Sequence, residues 1–429
     1  MSVSTVLTRP GRRCGPPTAA AIVAPCPRTE YARALSRRDI LAVAVTTPHN
    51  PPHPCPTTDT ADYGHTIVHS GALGRTTRRL RGLGVHAVLA GSPRGIVLAE
   101  RLAAELHLPA DPATVLRRCD RGEQARALAQ ADIDVPCTWR TEELTTALAW
   151  WRISTLPAVL LMPAAVAVPA APVLCRSSGE IATAWRQMRR TAHLHSGTGH
   201  LILRHHLPGR RYTVHSLTRP APAPGKEPVH TVTDVWAHAH TADGILARVD
   251  LLPRHGMLAR ALALYTLRVL EVLGMRAGPA RCHLIYEPER GPLLLSASAA
   301  AGTSPADRAL RTATGIDRLG GALDTVLTPE ATSTVHRSAR WHVVRVRLNA
   351  RRGVRVDPGR LAALRALPTV VHCTDLLPPG VPAQQTTSTR SAVGEVVLSH
   401  PRTQAIEADY QYIRRLDDSG GLYRAGGPR

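Results

Sequence analysis

The chain has 429 residues, 44% of them apolar and 20% charged, with a formal net charge of +21 and a pI near 10.9. This is an ordinary globular balance, long enough for two to four domains with a sizeable core. No run of about 18 apolar residues is present, so no membrane-spanning helix is expected.

The apolar stretch near the N-terminus, Ala19 to Ala24, is too short for a signal peptide, and a cytoplasmic location is the default expectation. The eight cysteines are scattered without a CxxC pair or metal-ligand spacing, and they are expected to be reduced thiols. Phe is absent, and Lys226 is the one lysine against 52 arginines. The arginines are spread along the chain, with short clusters such as "TTRRLRG" (76–82) and "RQMRR" (186–190). Dispersed charge with 3% aromatic residues argues for solvated surface rather than a nucleic-acid groove.

In chain order, residues 1–18 are rich in Pro, Arg and Gly and are expected to be a disordered tail. "AAIVAP" and "ILAVAVT" read as short buried strands, with "TEYARALSRR" between them as a helix capped by Thr29. Residues 48–60 form a Pro-rich loop. "VHAVLAGSPRGIVLAERLAAELHLP" (85–109) reads as strand, tight turn and helix. Ser92 is its candidate cap, Pro93 its first position, and Leu98, Leu102 and Leu106 its apolar face. Strands alternating with helices predict a parallel sheet.

Residues 113–136 read as a helical stretch ending before Pro136, and 141–151 as a helix with Thr141 as candidate cap. Residues 156–175 read as two strands interrupted by Ala and Pro. "SSGEIATAWRQMRRTA" (177–192) reads as a helix opened by Ser177 or Ser178, with Glu180 available for a capping box. Residues 200–217 read as strand, Pro-Gly turn, strand, and 227–241 as a further strand. "MLARALALYTLRVLEVLG" (257–274) has Leu258, Leu262, Tyr265, Val269 and Val272 on one face and Gly274 at its end.

"GPARCHLIYEPERGPLLLSASAAAG" (278–302) is a strand–turn–strand signal whose second strand offers only small, uncharged groups after Leu295. A last block (341–424) is mixed α and β. Ten histidines lie between 193 and 255, including "HLH", "HH" and "HAH". Paired strand histidines can bind a transition metal, but no acidic or Cys partner stands at ligand spacing. No GxSxG is present, and Ser296 has no assigned base.

Six pieces, taken in order, resemble the ATP-grasp superfamily, in particular its bacterial carboxylate–amine ligases for amino acids and peptides. "AGSPRGIVLAERLAAELHLP" resembles the family's closing strand and helix of the N-terminal domain, and "CDRGEQARALAQADIDVP" its "RDK…M…L…G…P" entry. "HHLPGRRYTVHSL" resembles "QEYLxGxEYxVDxxS", and "VTDVWAH" the tryptophan-bearing strand that follows. "VLEVLGMRAGP" resembles "VLDALGIxxGP", and "GPLLLSASAAAG" resembles "GPVLIEVxARxxG".

The resemblance covers about residues 20–424. It implies an α/β and α+β chain: an N-terminal parallel-sheet domain, then a two-part ATP-grasp fold with mixed and antiparallel sheets. The expected division is a tail (1–18), an N-terminal α/β domain (19–112), a central subdomain (113–195), a C-terminal subdomain (196–335) and an α+β extension (336–429).

The resemblance also implies ATP and Mg²⁺, an acyl phosphate formed on a small carboxylic acid, and an amine that attacks it. The positions matching the ATP site are Arg121, Met162, Arg204, His205, His206 and Leu207, and those matching the Mg²⁺ site are His283, Ser296 and Ser298. Arg121 stands where Lys is usual, and Met162 where the second Lys is usual. The glycine-rich flap falls on "AAVAVPAAP" (164–172), which has no Gly. His205 replaces the hinge glutamate, Arg211 the acid of "GxEY", Ser296 the metal-bridging glutamate and Ala300 a phosphate-facing Arg.

Mg²⁺ takes hard, charged oxygen ligands, and an imidazole with two hydroxyls is a poor substitute. Gly209, Gly278, Pro279, Gly291, Pro292, Asp234 and Trp236 keep the turns and core. Three readings stand: an ATP-grasp-fold protein with a degraded Mg-ATP site, a pseudoenzyme acting as a partner or regulator or a weakly active enzyme; an active ligase with an Arg-based site; and a basic nucleic-acid scaffold.

Overall fold

The structure is a computed structural model, and it describes residues 18–26, 30–48, 60–223, 225–301, 307–328, 341–350, 354–375, 386 and 392–425. The Thr29 cap, the tail through residue 17 and most of the Pro-rich loop lie outside the described residues. Among those described, no helix is long and apolar enough to cross a membrane, and six cysteines carry no disulfide.

The first sheet is parallel, in the spatial order His65–Val68, Leu41–Thr46, Ala19–Val23, Val85–Ala90. Every residue of Ala19–Val23 is buried, the continuous apolar pattern of a strand covered on both faces. Helix Ile96–Glu105 packs Ile96, Ala99 and Leu102 on this sheet, with Leu98 and Leu106 half-buried beside them. Pro93 opens a short 3₁₀ turn before the helix rather than the helix itself, and the Ser92 side chain makes no capping bond.

The expected helix over 113–136 is interrupted. A 3₁₀ segment, Pro112–Arg118, ends at Cys119, and helix Arg121–Gln130 starts afresh. The cause is Asp120, whose carboxylate accepts from the amides of Gly122 and Glu123 and pairs with Arg140. An Asp that caps two amides sets a helix start, and it cannot do so from a helix interior.

A four-stranded antiparallel sheet follows, in the order Thr138–Thr141, Leu201–His205, Val159–Pro163, Val173–Cys175. Thr141 ends a strand, and its hydroxyl accepts from the Glu143 amide before helix Leu144–Ser154. Helix Ser178–Ser196 has the expected cap: Ser177 Oγ accepts from the Glu180 amide.

The largest sheet has eight strands, in the order Gly291–Ser298, Gly278–Glu287, Arg210–Arg219, Val229–His240, Leu246–Leu251, His342–Leu348, Gly394–His400, Val370–Asp375. The two strands around the Pro-Gly segment are therefore not a hairpin. Leu201–His205 belongs to the four-stranded sheet and Arg210–Arg219 to the eight-stranded one, so residues 206–209 cross between sheets. Gly209 has φ of 147°, and a Cβ there would lie 2.8 Å from the Tyr286 carbonyl oxygen, which only glycine tolerates.

Helix Met257–Val272 covers one face of the large sheet, packing Leu262, Val269 and Leu270 on Val214, Val235, Cys282 and Leu284. The alternation of these strands turns Arg211, Thr213 and His215 to the other face.

Arg118 joins these layers. Its guanidinium is buried and donates to the carbonyls of Leu273 (3.1 Å) and Gly274 (2.9 Å), which end the long helix, and to Asp111 O. It also pairs with Glu100 at 3.2 Å. Replacing it by Met is expected to strand that carboxylate and three carbonyls, lowering the unfolding free energy by about 3–5 kcal/mol. Denaturant unfolding of Arg118→Met measures this, and a loss under about 1 kcal/mol, within the reach of a surface pair, would refute the joint.

Candidate functional site

The face of the large sheet opposite the long helix is covered at its Leu217 end by helix Arg318–Leu327 and meets the four-stranded sheet at Arg204. Helix Arg121–Gln130 docks the two together. The Gln124 side chain donates to Ala297 O (2.8 Å) and accepts from Ala297 N (2.9 Å), fixing the second hairpin strand beside it. Arg204, on the last turn of strand Leu201–His205, is buried and donates to Leu295 O across the gap.

Of the positions matched to the ATP site, Arg121 sits at the helix start and donates through one nitrogen to Pro163 O and Ala165 O, both at 2.9 Å. Met162 is buried against Ala164 and Ile202. Leu207 packs on Ile285 and Leu293. His205 and His206 are half-buried at the crossing, and burial lowers the pKa of both; the Arg211 charge adds to the effect on His206. The flap segment is tied down. Its Val166 amide donates to Cys119 O (2.9 Å), its Ala170 amide to Val168 O (3.0 Å), and its Ala165 carbonyl is held by Arg121.

The hairpin register places His283 opposite Ser296 and Arg281 opposite Ser298. The three positions matched to the metal site are thus brought together. Their neighbours are Arg281 and, on the next strand, Thr213 and His215. The Thr213 hydroxyl lies 2.9 Å from His238 Nε2 and 3.1 Å from His283 Nδ1. With one proton it donates to one ring and accepts from the other. Burial drives the His283 pKa well down, with the Arg281 charge next, and burial with the His240 charge lowers His238 to about 3.

The acids of this face are already engaged. Asp234 accepts from Thr233 Oγ1 (2.7 Å), from the Trp236 indole and from His215 Nδ1 (2.7 Å). Arg318 approaches His215 Nε2 at 2.8 Å and Asp307 at 2.8 Å. An arginine can only donate, so His215 Nε2 carries the lone pair and Nδ1 the proton given to Asp234: the imidazole is neutral. Burial and the Arg318 charge accordingly lower His215 to about 4. Burial works against the charge of Asp234, but His215 and Arg318 keep it ionised well below the usual range. Glu395 pairs with Arg345 (2.7 Å) and Arg347 (3.1 Å). The guanidinium carbons of Arg345 and Arg318 lie 5.7 and 5.9 Å from the Trp236 ring centre, within cation–π range.

Thr213 and Arg281 were not singled out in the sequence. The signal was present for Thr213 in the alternation Arg211, Thr213, His215 of one strand, but only the register shows what it meets. A cavity of about 510 Å³ lined by Leu252, Ala263, Leu267, Ile316 and Trp341 shares Thr233 and Asp234 with this site.

No protein-family model matches the sequence, and none of the curated proteins does. Solved structures match in shape. An L-amino acid ligase from Bacillus licheniformis superposes with a TM-score of 0.71 at 13% identity, over 94% of this chain and 98% of that one. The chain has the ATP-grasp fold. N5-carboxyaminoimidazole ribonucleotide synthetase, solved with ADP, matches at TM-score 0.66 and 14% identity over 94% and 98%. The biotin carboxylase domain of Hydrogenobacter thermophilus 2-oxoglutarate carboxylase, solved with MgADP, ADP and bicarbonate, matches at 0.60 and 12% over 94% and 90%.

The positions that the resemblance matches to the Mg²⁺ site, His283, Ser296 and Ser298, offer donors poorly suited to Mg²⁺. The matched positions carry an imidazole and two hydroxyls beside a guanidinium. Among the described residues, no group of three His, Cys, Asp or Glu could hold a metal ion.

Because His215 and His238 are neutral when folded and have ordinary pKa values near 6.5 when unfolded, the unfolded chain binds more protons below that pH. Stability should fall from about pH 6.5 to about pH 4, by roughly 1.4 kcal/mol per pH unit for each histidine. Urea unfolding at pH 7, 6 and 5 reads the slope, and His238→Gln should make it shallower. A flat profile would contradict the neutral-imidazole assignment.

Proposed function

We propose that this ATP-grasp-fold protein, related in fold to ATP-dependent carboxylate–amine ligases, has a degraded Mg-ATP site and acts as a binding or regulatory protein rather than a ligase. One observation carries the reading: where the ligases need carboxylates for Mg²⁺, the hairpin pairs His283 with Ser296 and Arg281 with Ser298. A guanidinium beside the metal position repels a divalent cation, and hydroxyls do not offset that charge.

The flap supports the same reading. The Val166 and Ala170 amides are spent on the protein's own backbone, so they do not present a nest of N–H groups to a triphosphate. The Arg-based ligase reading would lean on Arg121, but that side chain is drawn to the Pro163 and Ala165 carbonyls. Nothing in the fold favours the nucleic-acid scaffold.

The test is thermal unfolding with and without millimolar ATP and Mg²⁺, coupled to a measurement of ADP release. A ligand at about 100 times its Kd would add roughly 2.7 kcal/mol. No rise that requires Mg²⁺, and no ADP release above a protein-free control, is expected. A Mg²⁺-requiring rise would overturn the reading and call for a screen of acids and amines.

A further inference from the structure

We propose that a notch in the eight-stranded sheet, beside the long helix Met257–Val272, binds a medium-chain aliphatic carboxylate. The alkyl chain lies in the cavity there, and the carboxylate sits at Arg254 and Arg260. The proposal goes beyond the lost-metal-site reading and does not depend on it.

The notch follows from unequal strand lengths. Strand Leu246–Leu251 pairs with its neighbour from His240 back to Trp236. One further bond, from Leu252 N to Val235 O (2.9 Å), closes that ladder, and residues 253–255 then turn into the helix. Residues 229–234 run on, and among the described residues only strand Arg210–Arg219 pairs with them. An open edge of this kind invites another strand. Here it is blunted. Val232 stands opposite Ser216 and Asp234 opposite His215, so Thr233 is an extra residue, a bulge. A bulged edge pairs poorly with a further strand, and the notch holds a cavity of about 510 Å³. That volume is in the range of small-molecule sites.

The wall of the cavity is apolar. Val232 and Val235 come from the strand, Leu252 from its neighbour, and Ile316 from the segment before helix Arg318–Leu327. The long helix contributes Ala259 and Ala263, four residues apart on one face. Two methyl groups in line leave a trough, which an unbranched alkyl chain fills better than a ring. Leu264 and Trp341 line the same space, yet they are 63% and 45% exposed. Single exposed apolar side chains are ordinary, but two on the wall of one cavity make a patch that an apolar ligand would cover.

The mouth is cationic. Arg254 and Arg260 line it, both exposed, with His255 beside them. Among the described lining residues, Asp234 is the one carboxylate. It is committed to His215 and Thr233, with Arg318 at 3.9 Å. An apolar wall under a cationic rim is complementary to an amphipathic anion. Guanidinium forks suit a carboxylate, and at the rim the head group keeps part of its hydration.

Calorimetric titration of the full chain with hexanoate, octanoate and decanoate in physiological salt tests this. One site is expected, with each added pair of methylenes tightening binding roughly tenfold. 1-Decanol should bind roughly fivefold more weakly than decanoate. The double variant Arg254→Gln/Arg260→Gln should remove that preference while leaving 1-decanol binding unchanged. Ala263→Trp fills the trough and should abolish binding of both, with a thermal midpoint showing that it still folds. The remote variant Arg79→Gln should change nothing. Absence of binding at every chain length would overturn the site and leave the lost-metal-site reading standing. Equal affinity for decanoate and 1-decanol would overturn the anionic head group. Saturable binding indifferent to Ala263→Trp would put the ligand elsewhere and sink the notch. Self-association in sedimentation, lost in Ala263→Trp, would show that a second copy covers this face and would overturn the small-molecule reading.

Discussion

The buried guanidinium of Arg118 is the constraint on which the arrangement of layers depends. It ends the long helix under the large sheet through the Leu273 and Gly274 carbonyls, and it reaches the N-terminal layer through Glu100. A charge so deeply enclosed is tolerated only when its donors find oxygen acceptors, and the carbonyls at a helix C-terminus supply them with the right partial charge. Two residues on, Asp120 starts the helix that holds the hairpin through Gln124. Placement of the candidate site therefore descends from two buried, oppositely charged groups two residues apart, each bonded to backbone and to a charged partner.

The same requirement explains how an arginine-rich chain builds a core. Arg345 and Arg347 share Glu395, Arg414 lies against Asp417, and Arg318 is divided between Asp307 and the His215–Asp234 pair. Each buried carboxylate is matched to guanidinium groups, and the histidines among them stay neutral because a further proton would find no acid left to meet it.

Much of the architecture was legible along the chain. Strands Ala19–Val23 and Leu41–Thr46, the Ser177 cap, the helix at 257–272 and the hairpin around Pro288–Arg290 all follow from local pattern and turn chemistry. The misread elements share one cause. Asp120 looked like one polar residue in a helical run, because its partner Arg140 lies 20 residues away. The Pro-Gly segment looked like a hairpin turn, because nothing local distinguishes a turn within a sheet from a crossing between two. Strand Thr138–Thr141 is too short for alternation to declare it, and it exists because Leu201–His205 offers it an edge.

The sequence by itself determined the residue types at the site: that position 296 carries a hydroxyl instead of a carboxylate, that position 162 carries a thioether, and that the flap has no glycine. Those identities limit which bonds are chemically available, because a hydroxyl, a thioether and an alanine methyl carry no charge in any fold at neutral pH. Only the tertiary structure decided which groups meet: that Thr213 bridges His238 and His283, that Arg281 stands opposite Ser298, and that His215 is held neutral between Asp234 and Arg318. These are contacts between strands distant in sequence, and their protonation follows from burial and from neighbours that only the sheet register brings within a few ångströms.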